Sequence, residues 1–579
     1  MKNLKKIIFS KYEEKFIKNN NKDIFYAGYW ASNLIDLKNI NYLNCIWSSD
    51  KEKDQSYKFL NKKYDKYIRI LTNYFNNYHN VKYNKRYWET ICGMWLNTYL
   101  STVYYRWRVI EKISSKNKIK INNYNFKNFF LTTNNSIDYY SNITRSDTFN
   151  NLVFFKIIDY FIKYKKFKPI LEKKKINFKN NNYKKINLSR NYSLKTKFLE
   201  KVFEILDLIS TRKKNFIIVD GFNNRANLKI NLRAFQLPFA TSKYFNNELS
   251  INTNLFNIKK REKNIAENKT IDDFEKFLER NIYYDIPKIF LENFLLNLNL
   301  VKSYKIRAKK VISGTFHFFN ELFKIWLAQQ SLKNDTSFII TCHGGNHSKF
   351  NGIFNYENNI SDQHITWVKS EKHNLPASKY IDLKKKRDKL DNLILVVNET
   401  NPYPAKWEDF PVSLDNLRLD FFLKKFQFLL NKKIKKKFFV CPKYLHCSKF
   451  QKIIKRNLYK TQIKKSFSFP KELDNARLVI CDNPQTAFID ALRTGPTILI
   501  VKKNQWRPKD VLKKNYQELE KNNIVFYSID RAIKHINENW DNIDKWWLNK
   551  NTIKAVSNFL SMMNCVENIS DNWLSFLKK

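Results

Sequence analysis

Residues 481–501 read CDNPQTAFIDALRTGPTILIV in a chain of 579 residues that has only eight glycines. The stretch has the form of a strand end, a turn, a short helix (485–493), a Gly-Pro stop and a second strand. Thr486 lies in the first turn of that helix and Asp490 one turn later on the same face. A hydroxyl among the free N–H groups of a helix N-terminus makes an anion site with the helix dipole behind it. Thr486 therefore suits a donor phosphate, and Asp490 suits the two hydroxyls of a ribose. Asp490 equally suits an ordinary helix carboxylate beside Arg493. Asp482 and Asn483 suit donor binding or helix capping, with Pro484 at a favourable first position.

The other stretch with chemical content is TCHGGNHSKFNG, residues 341–352. Gly344 and Gly345, adjacent in so glycine-poor a chain, imply unusual dihedrals or close ligand approach. His343 at the strand tip can serve as a general base, as a phosphate donor, or only as a loop histidine. His343 and His347 are four apart, but they sit in a glycine loop with no third ligand evident, so no metal is expected. Cys441, His446 and Cys447 fit no zinc spacing. The chain has no Walker loop, no G-x-G-x-x-G, no G-x-S-x-G and no D-x-D pair. Neither a cofactor nor a metal-held diphosphate is expected.

These residues need strands to carry them. After the charged run 382–392, apolar strand-like and amphipathic helix-like segments alternate regularly up to INENW at 536–540. That alternation predicts a doubly wound parallel sheet, with ligands at the carboxyl ends of its strands. A less regular series runs from NFIIVDGFNN (215–224) to SFIITC (337–342). The first 115 residues look mainly helical after the short strand DIFYAGYWAS, with Trp88, Ile91, Trp95, Tyr99, Val103 and Trp107 at helical spacing. The expected fold is α/β, with two Rossmann-like domains facing a cleft and a helical N-terminal portion. The expected boundaries are 1–380, 381–545 and a set of returning helices at 546–579.

Length alone calls for more than one core. Hydrophobic content of 43% with 16% aromatics argues against disorder. The formal charge of +53 comes from lysines spread along the whole chain. It fits compositional bias, attraction to an anionic membrane surface, or nucleic-acid binding; dispersed lysines and core-spaced aromatics favour the last least. Seven cysteines form no C-x-x-C pair, which points to a reducing compartment. The N-terminus has too short an apolar run for a signal peptide, and residues 90–105 are too polar to span a bilayer. A soluble cytoplasmic protein is expected.

Several stretches together resemble a family of transferases from bacterial O-antigen and surface-carbohydrate loci. They are IFYAGYWAS, RYWETICGMWL, HGGNHSKFNG with ISDQHITW, the 476–501 stretch, WRPKDVLKKNYQEL and DKWW. The wider similarity is to GT-B glycosyltransferases and related polyol-phosphate polymerases. The resemblance implies two Rossmann-like domains and a nucleotide donor in the C-terminal half, with Thr486 at its phosphate and Asp490 at its ribose. The residues themselves add Gly344, Gly345, Asp482, Asn483 and Arg507 as donor-binding candidates, and His343 as the base or a phosphate partner. The resemblance also implies no metal. From the chain as a whole, a nucleotide-sugar donor, a lipid-linked glycan acceptor and no specific nucleic acid are expected, with the basic surface holding the protein near that acceptor at the inner membrane leaflet. Two positions depart from the family pattern. Cys342 stands where Gln is usual, and Tyr105-Arg106 stands where an Asp-Arg pair is usual. Alternatives are a CDP-polyol phosphotransferase of the same fold, or a non-catalytic nucleic-acid-binding or glycan-complex protein.

Overall fold

A computed structural model describes residues 5–14, 23–32, 41–47, 49–116, 119–125, 130–177, 198, 201–202, 214–246, 249–266, 269–333, 335–344, 349, 355–381, 391–397, 401–404, 412–442, 448–464, 469–501, 506–565 and 568–579. The protein is mixed α/β, and all its named strands pair in parallel. The strands form three sheets. The first contains β1 (Lys5–Ile8), β2 (Ile24–Tyr26), β3 (Asn41–Tyr42), β4 (Ile119–Asn125) and β5 (Ile170–Asn177), in the order β3-β2-β1-β4-β5. The second contains β6 (Lys214–Ile218), β7 (Ala308–Ser313), β8 (Ser337–Thr341) and β9 (Gln363–Ile365), in simple sequence order. The third contains β10 (Asn392–Val397), β11 (Phe438–Pro442), β12 (Ala476–Cys481), β13 (Thr497–Ile500) and β14 (Val525–Phe526), in the order β11-β10-β12-β13-β14.

The third sheet reverses its strand order between β10 and β12, the kind of point at whose carboxyl ends open α/β sheets bind ligands. The stretch that begins at Asp482 leaves β12 at that point. The middle sheet contributes to both hydrophobic cores of the molecule. Side chains alternate across a strand, and here both faces are buried. Ile217, Val311, Phe338 and Ile340 enter the core shared with the first sheet. Phe216, Ile218, Ile312 and Ile339 enter the core shared with the third.

Helix Lys85–Ser114 is buried on nearly every side from Tyr87 to Trp107. It is apolar around its circumference because other helices surround it, among them Asp50–His79, Asp147–Tyr164 and Glu321–Ser331. The last helix, Ile569–Lys578, packs on the middle sheet. Its Trp573 indole donates to Pro376 O at 2.8 Å, and Lys310 on β7 donates to Phe576 O at 3.2 Å.

The sequence reading expected one sheet-bearing half before residue 380, and there are two sheets. The missed strands are short or lysine-rich: β3 has two residues, and β1 reads KKII with only its last two residues buried. The expected strand KSFSF (465–469) and helix 197–209 fall largely outside the described residues.

Candidate active site

The carboxyl ends of the middle sheet are held together by one carboxylate. Asp220 follows β6, and its Oδ1 accepts from Ser313 Oγ at 2.9 Å and Gly314 N at 2.8 Å. Its Oδ2 accepts from Thr315 N at 2.7 Å and from the Thr315 hydroxyl. Gly221 beside it has φ +96°, a conformation that disfavours any side chain. A Cβ there would lie 2.8 Å from Thr341 Cγ2 and 3.3 Å from Gly314 Cα, so the tips of β6, β7 and β8 interlock.

Cys342, His343 and Gly344 leave β8 at this edge. His343 is exposed and sets its ring edge-on to Phe318 with centroids 5.5 Å apart. Gly344 packs against the third sheet: a Cβ on it would stand 2.9 Å from Thr486 Oγ1. The two stretches singled out in the sequence, 142 residues apart between Gly344 and Thr486 (486 − 344), therefore meet. Lys349 N donates to Arg507 O at 3.0 Å, which brings Arg507 to the same loop. Gly345 and His347 lie outside the described residues.

Thr486 opens helix Thr486–Thr494. The helix runs one residue later than the 485–493 expected for it, and Pro484 lies before it, not at its first position. Gln485 is the N-cap with extended backbone and no side-chain cap bond, so the turn 482–485 precedes the helix instead of forming its first residues. Asp482 and Asn483 are half-buried in that turn at the end of β12. Asp490 is committed to neighbours from another segment. Its Oδ2 accepts from Lys379 Nζ and its Oδ1 from Tyr380 OH, both at 2.7 Å. Burial and the Asp490 charge push the Tyr380 phenol well above its usual value. A ribose at Asp490 would have to share or replace those bonds.

The structure adds residues that the sequence reading did not single out. His317 Nδ1 lies 3.0 Å from Ser313 Oγ, and its Nε2 lies 3.1 Å from Glu357 Oε1. His364 Nε2 lies 3.5 Å from Glu357 Oε2, and its Nδ1 is 2.8 Å from Asn358 Oδ1. Burial works to raise the Glu357 carboxyl. The His317 bond and the nearby charges of His364, His317 and His343 outweigh it and hold the group below its ordinary value. Two histidines, His317 and His364, thus flank one buried carboxylate, and His343 lies near enough for its charge to act on it. Among the described residues no group of three or more His, Cys, Asp or Glu is placed to hold a metal ion.

The model of the LIC12162 family transferases matches residues 6–577, nearly the whole chain. The chain belongs to the LIC12162 family of transferases. No curated protein matches it significantly. Among solved structures, a UDP-forming α,α-trehalose-phosphate synthase from Burkholderia xenovorans is similar over 49% of this chain and 78% of its own, at 10% identity and TM-score 0.27. A likeness that slight carries no argument. In this LIC12162 family transferase, Tyr105 and Arg106 are sealed in the interior. Tyr105 OH meets Cys45 Sγ at 3.7 Å. The Arg106 guanidinium donates to Asn150 Oδ1 at 2.8 Å, Thr102 O at 3.2 Å and Pro404 O. No proton-accepting group stands at position 105 for an acceptor to reach.

Proposed function

We propose that this transferase is a metal-independent glycosyltransferase of GT-B type, moving a sugar from a nucleotide sugar to a growing surface glycan. The observation that carries the reading is the meeting of Gly344 with Thr486. A glycine loop on one parallel sheet abuts a helix N-terminus on another, both at strand carboxyl ends, where open α/β sheets bind ligands. In this reading the middle and third sheets are the facing pair.

The acceptor hydroxyl attacks the anomeric carbon and gives its proton to His343. The bond from that carbon to the donor phosphate oxygen breaks, and the nucleotide leaves with the electron pair. Free N–H groups around Thr486, its hydroxyl and the Arg507 guanidinium stabilise the charge on the leaving phosphate. Glu357, kept anionic, favours the imidazolium that His343 becomes. Asp482 and Asn483 border the donor at the β12 end, and Asp490 reaches the ribose by exchanging its Tyr380 bond. The acceptor is a lipid-linked glycan. No helix among the described residues is long and apolar enough to cross a membrane. The lysine-rich surface instead holds the protein against an anionic inner leaflet from the cytoplasmic side.

Titration with CMP, CDP, UDP and GDP, followed by melting temperature, tests the donor site. One nucleotide should raise the transition, by about 2.7 kcal/mol at 100 times its dissociation constant. Thr486→Val should weaken that nucleotide about ten- to a hundred-fold through loss of a hydrogen bond to a charged group. Undiminished nucleotide affinity in Thr486→Val would remove the helix from the site.

A further inference from the structure

The third sheet ends on one side at its edge strand, β11, and the helices on either side of that strand in the chain carry exposed rings. Helix Val412–Leu429 leads from β10 into β11, and helix Ser448–Asn457 leads from β11 towards β12. On the first helix Phe422, Leu423 and Phe426 are buried in the core. Phe421, Lys424 and Phe428 form the opposite ridge, at i, i+3, i+7 spacing. Phe428 is 82% exposed, Phe421 49%, and Tyr459, just beyond the second helix, 78%. Only seven Phe, Tyr or Trp side chains are exposed among the described residues, and these are three of them.

Hydrogen bonds hold these residues on one surface. Gln462 Oε1 accepts from Tyr459 N and from Gln427 Nε2, both at 3.2 Å, which sets Tyr459 beside the helical turn that carries Phe428. Lys435 Nζ donates to Phe428 O at 3.3 Å, so the run NKKIKKK (431–437) folds back on the same residue. That run supplies Lys432, Lys435 and Lys436, and Lys455 and Lys460 stand on either side of Tyr459 in the chain. The neighbouring carboxylates are matched by other cations: Asp420 by Lys424 at 2.8 Å and Arg456 at 2.6 Å, Asp530 by Lys425 at 2.9 Å, and Asp541 by Lys433. The five lysines therefore carry positive charge that no carboxylate among the described residues neutralises.

We propose that this flank is the face on which the protein lies against an anionic lipid bilayer, with Phe428 and Tyr459 entering the headgroup layer and the five lysines holding lipid phosphates. The inference rests on the inner-leaflet placement given above and names the face that makes it. A ridge of side chains this exposed encloses no small ligand. It suits a flat partner with negative charge outside and an apolar layer beneath, and an anionic bilayer offers both. Duplex DNA offers the charge but keeps its bases stacked, so the rings gain nothing there. A crossover helix runs antiparallel to the strands it joins. Seating its ridge lays the strands of the third sheet along the membrane. The carboxyl end of β12, where Thr486 stands, then opens along the surface towards a lipid-linked acceptor.

Co-sedimentation of the full chain with vesicles decides it, using equal parts phosphatidylglycerol and phosphatidylcholine against phosphatidylcholine alone, with duplex DNA titrated in parallel. Binding should require the anionic lipid. Lys432 and Lys436 are exposed, and Lys432→Gln and Lys436→Gln should each weaken it about fivefold, the share of one lysine near an anionic surface. Phe428→Ser with Tyr459→Ser should weaken it about tenfold, and that loss should persist when added salt screens the lysines. Both rings stand outside the core, so the melting temperature should not move. Lys58 and Lys62 are exposed on helix Asp50–His79, which packs in the other core. Lys58→Gln with Lys62→Gln should leave vesicle binding near that of the wild type. Equal losses from the two lysine pairs would overturn the patch and leave membrane attachment standing. Patch variants that lose DNA binding and keep vesicle binding would also overturn it. No binding to anionic vesicles would remove both the patch and the inner-leaflet placement, while the nucleotide titration would still decide the donor site.

Discussion

Asp490 holds Lys379 and Tyr380 at once, and that double engagement sets the cost of removing its charge. Asp490→Asn keeps the shape but weakens the ion pair to a Lys379 that is partly exposed and the bond to a Tyr380 that is buried. Melting should show a loss of about 1.5–3 kcal/mol, the range for hydrogen bonds involving a charged group. If the ribose also uses Asp490, the variant should lose more affinity for a ribonucleotide than for its 2′-deoxy analogue. A stability loss with equal effects on both nucleotides would leave Asp490 as a tie between segments only. His79 makes a second residue-scale prediction. Burial pulls its imidazole down to about 4, against a bond to Phe290 O that works the other way. The unfolded chain takes the proton near pH 6.5 while the folded protein still refuses it. Stability from this site is complete above pH 6.5 and is lost as pH falls towards 4, by up to about 3 kcal/mol. His79→Gln keeps a donor for Phe290 O and should lose less stability than the wild type between those pH values. Parallel acid profiles for the two proteins would refute the assignment.

Elements bring these residues together, and Gly221 is where three of them interlock. Gly221→Ala adds a methyl at φ +96°, 2.8 Å from Thr341 Cγ2 and 3.3 Å from Gly314 Cα. The backbone strain alone costs about 1–3 kcal/mol, and the collision adds to it. Denaturant melting should show at least that loss; an unchanged midpoint would mean that the strand tips separate freely. Periodic elements were legible in the sequence, because their side-chain spacing records one buried face. Helix Ser448–Asn457 runs over the residues its pattern predicts, and β10, β12 and β13 stand within a residue or two of their apolar runs. The pairing of the His-Gly-Gly loop with Thr486 was legible only as two separate chemical stretches. Nothing local records that they touch. The Glu357 cluster was not legible at all: His317, Glu357 and His364 sit on different elements, and a lone histidine among apolar residues reads as core. Lys379 and Tyr380 were equally hidden, since they reach Asp490 from 111 and 110 residues upstream. Of the first sheet only β2 was legible, inside the expected strand DIFYAGYWAS. β1 and β3 are too brief for a period of two to stand out, and β4 and β5 carry polar and lysine-rich runs, INNYN and EKKKIN, that mask it.

At the scale of the whole molecule, three sheets share two cores through the middle sheet, and a charge of +53 covers the outside. Dispersed charge, with most aromatics of the described residues in the cores, should give only weak duplex DNA binding that disappears near physiological salt. Submicromolar, sequence-selective binding at about 150 mM salt would place the protein in another class. The sheets are also joined by a strap. Residues 401–404, beyond the end of β10, enter the core of the first sheet. Tyr403 is fully buried there, with its ring 6.2 Å from Trp30 and its hydroxyl bonded to Asp147. Tyr403 N donates to Thr144 O at 3.1 Å, and Arg106 donates to Pro404 O. Burial lowers the Arg106 guanidinium to about 10, so it remains charged at neutral pH and is satisfied by neutral oxygens. The segment that follows the first strand of the third sheet is therefore fixed by the first sheet. Tyr403→Ala empties an aromatic site and should cost about 3–5 kcal/mol if the strap is part of the cooperative core. It should also raise hydrogen exchange in helix Lys85–Ser114, which carries Arg106. Tyr403→Phe keeps the ring and drops only the bond to the Asp147 carboxylate, so it should lose about 1.5–3 kcal/mol, the range for a hydrogen bond to a charged group. If Tyr403→Ala melts like wild type and leaves exchange in that helix unchanged, the strap is a surface contact, and the first and third sheets are coupled through the middle sheet alone.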